Sequence, residues 1–115
     1  MLVKTSELSG TALDWAVAQI ERKEVKFDCN LLFLSAPDFT FGDLYRPAED
    51  WECGGPIIER EGIDIKKQSD HWDATCDKGE YVFWKFGKTP LIAAMRCYVA
   101  SKLGEEVELS EFNNV

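Results

Sequence analysis

Residues 89–103 read TPLIAAMRCYVASKL, and their order dictates a helix almost position by position. Thr89 offers a side-chain oxygen as the cap, and Pro90 suits the first helical position, where its missing N–H leaves no bond unmade. Gly104 follows Leu103, where a left-handed residue commonly ends a helix. Leu91, Ile92, Met95, Tyr98, Val99 and Leu103 recur at helical spacing as a broad apolar stripe. Ala93, Ala94, Cys97, Ala100 and Ser101 form a second strip of small residues, against which another backbone can close. Arg96 and Lys102 are the only charges in the stretch. A helix with two apolar sides is held on both, so this one is predicted to be the central scaffold. Only Thr89 and Arg96, at its edges, stay open to a functional role.

Immediately before it, Tyr81 to Phe86 (YVFWKF) reads as the clearest strand, aromatic and β-branched and bulky on both faces except at Lys85. Gly87-Lys88 turns that strand into the helix. Residues 6–24, SELSGTALDWAVAQIERKE, predict the first helix, with Ser6, Ser9 and Thr11 competing as its cap. Its Ala12 and Ala16 are expected to approach the small strip of the last helix. Leu2 to Thr5 reads as a short edge strand or a lead-in. Val25 to Phe27 and Asn30 to Leu34 hold one or two strands, followed by a turn at Pro37-Asp38 and a strand at Phe39 to Phe41. Residues 42–52 read as loop, and Cys53-Gly54-Gly55-Pro56 as the strongest break in the chain. Ile57 to Ile65 fits two short strands around Gly62, or one helical turn opened by Pro56. Residues 66–79 are polar apart from Trp72, Ala74 and Cys76, and the tail alternates at Val107 and Leu109. The predicted fold is α+β: a single domain over residues 1–115, with two helices packed on a small, mainly antiparallel β-sheet.

The chain has 115 residues, with 13 basic and 21 acidic side chains and a net charge of −8. That balance argues against phosphate-backbone binding, so nucleic acid is not the expected partner. Hydrophobic residues make up 45%, ample for one core. Polar residues directly follow Met1-Leu2-Val3-Lys4, so no signal peptide is expected. No apolar run is long enough to span a bilayer. Cys29, Cys53, Cys76 and Cys97 lack paired spacing and are read as reduced thiols.

The one place where a histidine, carboxylates and a thiol cluster is Asp70-His71-Trp72-Asp73 with Cys76. A metal site needs three or four converging ligands, and a Cys–His nucleophile pair needs an orienting third group. No known spacing is matched, so a polar surface loop is the plainer reading, and no catalytic or metal-binding residue and no cofactor is assigned. Trp51, Gly54, Gly55, Glu59 and Arg60 assemble an aromatic, exposed backbone amides and a guanidinium, the parts of a small-ligand or peptide site and equally of a packed loop. Trp72 and Trp84 read as core or rim aromatics. Arg96, opposite the Leu91/Met95 stripe, is expected to pair with a carboxylate such as Glu59 or to reach solvent. The candidate binding set is therefore Trp51, Gly54, Gly55, Glu59, Arg60, Trp72 and Arg96.

Three blocks, in order, carry a resemblance. They are residues 4–10 (KTSELSG) running into 12–17 (ALDWAV), then Asp50-Trp51 with residues 54–63 (GGPIIEREGI), and residues 89–104. Together they resemble the NinX-like family of small proteins encoded by tailed bacteriophages and prophages, and Trp72-Asp73-Ala74 resembles a weaker signature of the same family. The resemblance implies phage or prophage origin and a host bacterial cytoplasm, and it carries no catalytic residue. The first function compatible with it is an accessory protein that binds a host or phage protein, for host modulation or counter-defence. The acidic segment Glu49-Asp50-Trp51-Glu52 suits contact with a basic partner. The second is a binder of a small, nucleotide-like ligand at Trp51–Arg60. An enzyme built on His71 and Cys76 ranks last. A homodimer follows if one helix keeps an apolar strip exposed.

Overall fold

The computed structural model of the chain describes residues 1–35 and 41–112. In order these form strand β1 (Leu2–Lys4), a 3₁₀ turn (Thr5–Glu7), helix α1 (Gly10–Glu21), strands β2 (Val25–Asp28), β3 (Leu31–Ser35) and β4 (Phe41–Leu44), helix α2 (Trp51–Glu61), strands β5 (Asp64–Lys67), β6 (Trp72–Asp77) and β7 (Val82–Gly87), helix α3 (Pro90–Leu103) and strand β8 (Glu106–Glu108). The α+β class stands, but with three helices and three small antiparallel sheets in place of two helices on one sheet. The sheets are β1-β8, β2-β3-β4 and β5-β6-β7. The turn expected at Pro37-Asp38 and the start of the strand at Phe39 lie outside the described residues.

α3 is the scaffold, as its residues dictate. Thr89 Oγ1 accepts from Ile92 N–H at 3.1 Å, Pro90 opens the first turn and Gly104 ends the helix with φ +94°. Leu91, Ala93, Ala94, Met95, Cys97, Tyr98, Val99 and Ala100 are all buried. Around α3 pack α1, α2, the β5-β6-β7 sheet and the chain ends. Burying a side chain such as Leu91 or Met95 contributes roughly 1.5–3 kcal/mol. α1 meets α3 as the small residues allow, with Ala16 fully buried.

α1 begins at Gly10, later than the expected Ser6. Thr5 is tied to the other end of the chain, Oγ1 donating to Gly104 O at 2.6 Å and N–H to Glu105 O at 2.8 Å. That anchor holds residues 5–7 in a separate 3₁₀ turn, and Gly10, with φ +56°, swings the chain into the helix.

The largest departure is α2. The expected loop and break at 42–56 are instead β4, a turn and an eleven-residue helix with Gly54, Gly55 and Pro56 inside it. Asp50 caps it by accepting from Glu52 N–H at 3.0 Å, and left-handed Gly62 closes it. Ile57 is buried and Ile58 half-buried, so the helix is held by its packed face. Ile63 is likewise buried as the chain enters β5. Of the two short strands expected around Gly62, the first is helix instead and the second is β5, which runs on to Lys67; residues 72–77, expected within a polar loop, form its paired strand. Their register runs from Asp64 opposite Thr75 to Lys67 opposite Trp72.

Candidate functional site

β7 lies at an edge of its sheet, because the strand order is β5-β6-β7. Phe83 and Lys85 are half-buried and Gly87 is buried, while Val82, Trp84 and Phe86 are 63%, 51% and 48% exposed. Alternation accounts for the split. The first set faces α3, and the second forms one row on the outer face. At the far end of the hairpin, Lys78 N–H donates to Tyr81 O at 2.8 Å. In an antiparallel ladder this bond sets the phase: residues 81, 83, 85 and 87 bond toward β6, and residues 82, 84 and 86 direct their N–H and C=O groups to the free edge. The same three residues thus present apolar side chains and edge-facing backbone on one side of the protein, with only Phe86 O taken, by Arg96.

The row ends at a cavity of about 450 Å³, lined by Phe86, Lys88, Arg96, His71, Ser9 and neighbouring groups. Gly87 is required here. A Cβ would stand 2.7 Å from Ile92 Cγ2 and 2.8 Å from Ala93 N, so only glycine lets α3 start this close to β7. Arg96 does not pair with Glu59 and is half-buried, its Nη1 at a solvent-accessible position. Its Nε donates to Leu8 O at 2.7 Å and its Nη1 to Phe86 O at 2.9 Å. Both acceptors are neutral, and burial alone lowers its pKa, with no carboxylate to offset it. His71 Nδ1 lies 2.6 Å from Asp70 Oδ1 and Nε2 3.1 Å from Asp73 Oδ1, and Asp70 raises the imidazole's pKa. Gln68 Nε2 donates to the other oxygen of Asp73 at 2.8 Å. Cys76 is buried on the inner face of β6, on the side away from His71, and forms no pair with it. Burial pushes the Cys97 thiol up to about 12.

The residues singled out from sequence are dispersed. Trp51, 53% exposed, lines a cleft of about 370 Å³ with Ala48, Thr89, Pro90 and Leu91. Gly54 faces inward, where a Cβ would stand 2.3 Å from Pro47 O and 2.7 Å from Leu91 Cδ2. Gly55 is in the helix interior beside Trp51, and Glu59 is exposed. Trp72 is half-buried, with the Lys67 ammonium 5.1 Å above its ring. Arg60 lies at the other end of α2 from Trp51. Its Nη1 and Nη2 donate to the two carboxylate oxygens of Glu21 at 3.0 and 2.7 Å, its Nε to Glu61 at 2.9 Å and its Nη2 to Tyr98 Oη at 3.0 Å. Tyr98 in turn donates to Glu21 at 2.5 Å. The Arg60 bond is the main cause that lowers the pKa of Glu21. Lys78, followed by Arg60, holds Glu61 down to about 2. Arg60 therefore fastens α1, α2 and α3 together.

Sequence reading missed Val82, Phe86 and Lys88 as a group. The signal was present: YVFWKF is apolar on both faces, and a strand with one helix to cover it has one apolar face to spare.

The described residues, three helices around antiparallel hairpins with an aromatic edge, define a small α+β protein. Over residues 4–102 the sequence matches the family described as bacteriophage P22 NinX, and the chain belongs to that family of phage proteins. Comparison with curated proteins gives no match.

Proposed function

We propose that this chain is a phage accessory protein that acts in the host cytoplasm by binding a protein of the host or the phage, as a modulator of host machinery or a counter-defence factor. The observation that supports this is the outward row Val82, Trp84 and Phe86 on the edge strand β7. Large apolar side chains gathered on an unpaired edge invite association, and folded proteins ordinarily blunt such edges with charge or cover. Purification of the tagged chain from infected cells tests it. A partner recovered stoichiometrically with the wild type and lost with Trp84→Ser/Phe86→Ser supports the reading. Recovery by both proteins, or by neither, overturns it.

A second reading, a small nucleotide-like ligand, is supported by the half-exposed Trp51 indole in its cleft beside the start of α3. It excludes Arg60 as the anion partner, since that guanidinium is already bonded to two carboxylates. Thermal shifts over a nucleotide and metabolite panel, abolished by Trp51→Ala, would support it, and a flat panel would remove it.

A further inference from the structure

The free edge of β7 leads into the Arg96 cavity, and the two are complementary in chemistry. Along the edge, residues 82, 84 and 86 offer apolar side chains, with backbone donors and acceptors at 82 and 84 and the N–H of 86, the requirements for an extended chain added as a further strand. At its end, Phe86 O is taken by Arg96. The guanidinium uses Nε and Nη1 on backbone carbonyls, and its Nη2 has no partner among the described residues. No carboxylate of the described residues pairs with Arg96, in a chain of 21 acidic residues. Lys88 lines the same cavity and has no ion-pair partner among the described residues. Asp70 and His71 also line the cavity, and the Asp70 carboxylate there is engaged by the imidazole, which lies between Asp70 and Asp73. A guanidinium held by neutral acceptors is oriented without being neutralised, and its fork geometry matches a carboxylate.

We propose that the β7 edge and the Arg96 cavity form one docking site for an extended, apolar peptide segment of the partner that bears a carboxylate, received by Arg96 and Lys88. This rests on the protein-binding reading above and names the partner's chemistry. Charge complementarity identifies the occupant: Asp70 is engaged by His71, so Arg96 and Lys88 are the two charges of the lining without a counter-charge, and a basic or neutral segment would leave them so.

The test uses the full chain and a random short-peptide library in two forms, with free and with amidated C-termini. Enriched peptides are expected to alternate aromatic or β-branched residues and to carry an acid at one end. Selection from the free form alone identifies a terminal carboxylate, and selection from both forms an Asp or Glu side chain. Lys88→Gln and Arg96→Gln should each weaken the selected peptides about tenfold, and Trp84→Ser should abolish binding. Arg96→Gln also releases Leu8 O and Phe86 O, so Lys88→Gln, an exposed position, decides the matter if the Arg96 variant melts early. Enrichment of basic or neutral peptides, affinities indifferent to Lys88→Gln, or no enrichment at all would overturn the proposal. In infected cells, a partner lost with Trp84→Ser but retained by Lys88→Gln and Arg96→Gln overturns the carboxylate site and leaves the protein-binding reading intact. Self-association abolished by Trp84→Ser, seen in sedimentation, makes a second copy the occupant and likewise overturns it.

Discussion

Asp14 lies in α1 with 3% of its surface exposed, its Oδ1 accepting from Ala48 N–H at 2.9 Å. Burial pushes its carboxyl up to about 7, and the Ala48 bond only partly counters that. Below pH 3.8 the carboxyl is protonated in both states and costs the fold nothing. As pH rises further the unfolded chain ionises first, and stability falls until the folded carboxyl ionises near 7. The full loss is on the order of 4 kcal/mol. The melting temperature should therefore drop from about pH 4 to about pH 7 and level off above it. Asp14→Asn, which keeps an oxygen for Ala48 N–H, should melt higher at pH 8 and with a flatter profile, and parallel profiles for the two proteins would refute this. Gly54 and Gly55 make a second pair at the same scale. Gly54→Ala drives a Cβ into Pro47 O and should cost about 1–3 kcal/mol in urea unfolding. Gly55→Ala meets only Trp51, at 3.7 Å, and should stabilise by about 0.5–1 kcal/mol through better helix propensity.

Among the elements, α2 shows how tertiary contacts override local preference. Two glycines and an interior proline, which lacks the N–H that would meet Glu52 O, disfavour helix by several kcal/mol (roughly 1 per glycine and about 3 for the proline). The cap at Asp50, the burial of Ile57 and the approach that Gly54 permits outweigh them. The polar end of the same helix joins α1 and α3 through Arg60, Glu21 and Tyr98. These three share one set of hydrogen bonds, so Arg60→Gln and Tyr98→Phe should be non-additive. A double-mutant cycle should return a coupling of about 0.5–3 kcal/mol, and simple additivity would show the contacts to be independent. Glu21 and Glu61 are held down by their cationic partners, so what they contribute is present above the ordinary carboxylate range and is lost as pH falls through their lowered values.

For the whole molecule, scaffold and surface separate. α3 is enclosed by α1, α2 and the β5-β6-β7 sheet, whereas Val82, Trp84 and Phe86 face outward with about half or more of their surface exposed. Trp84→Ser should therefore cost no more than about 1–2 kcal/mol, less than a core truncation, while reducing binding of an apolar dye. A loss of several kcal/mol would mean that the row is part of the core. Among the described residues no helix is long and apolar enough to cross a membrane.

What sequence alone determined is local and periodic. The Thr89 cap, Pro90 and the two strips of α3 declare that helix because each acts within one or two turns of its own backbone. The strand at 82–87 and the family resemblance were legible for the same reason: they rest on contiguous order. Sequence could not show that Gly54, Gly55 and Pro56 lie within a helix, since the contacts that hold it, Pro47 and Leu91, come from elsewhere. Nor could it show that Arg60 would be bonded to Glu21, 39 positions away, or that Arg96 would hold Leu8 O, 88 positions away. Tertiary structure alone decided which face of YVFWKF would be covered. A strand apolar on both sides is satisfied locally either way, and only the placement of α3 left Val82, Trp84 and Phe86 on the outer face.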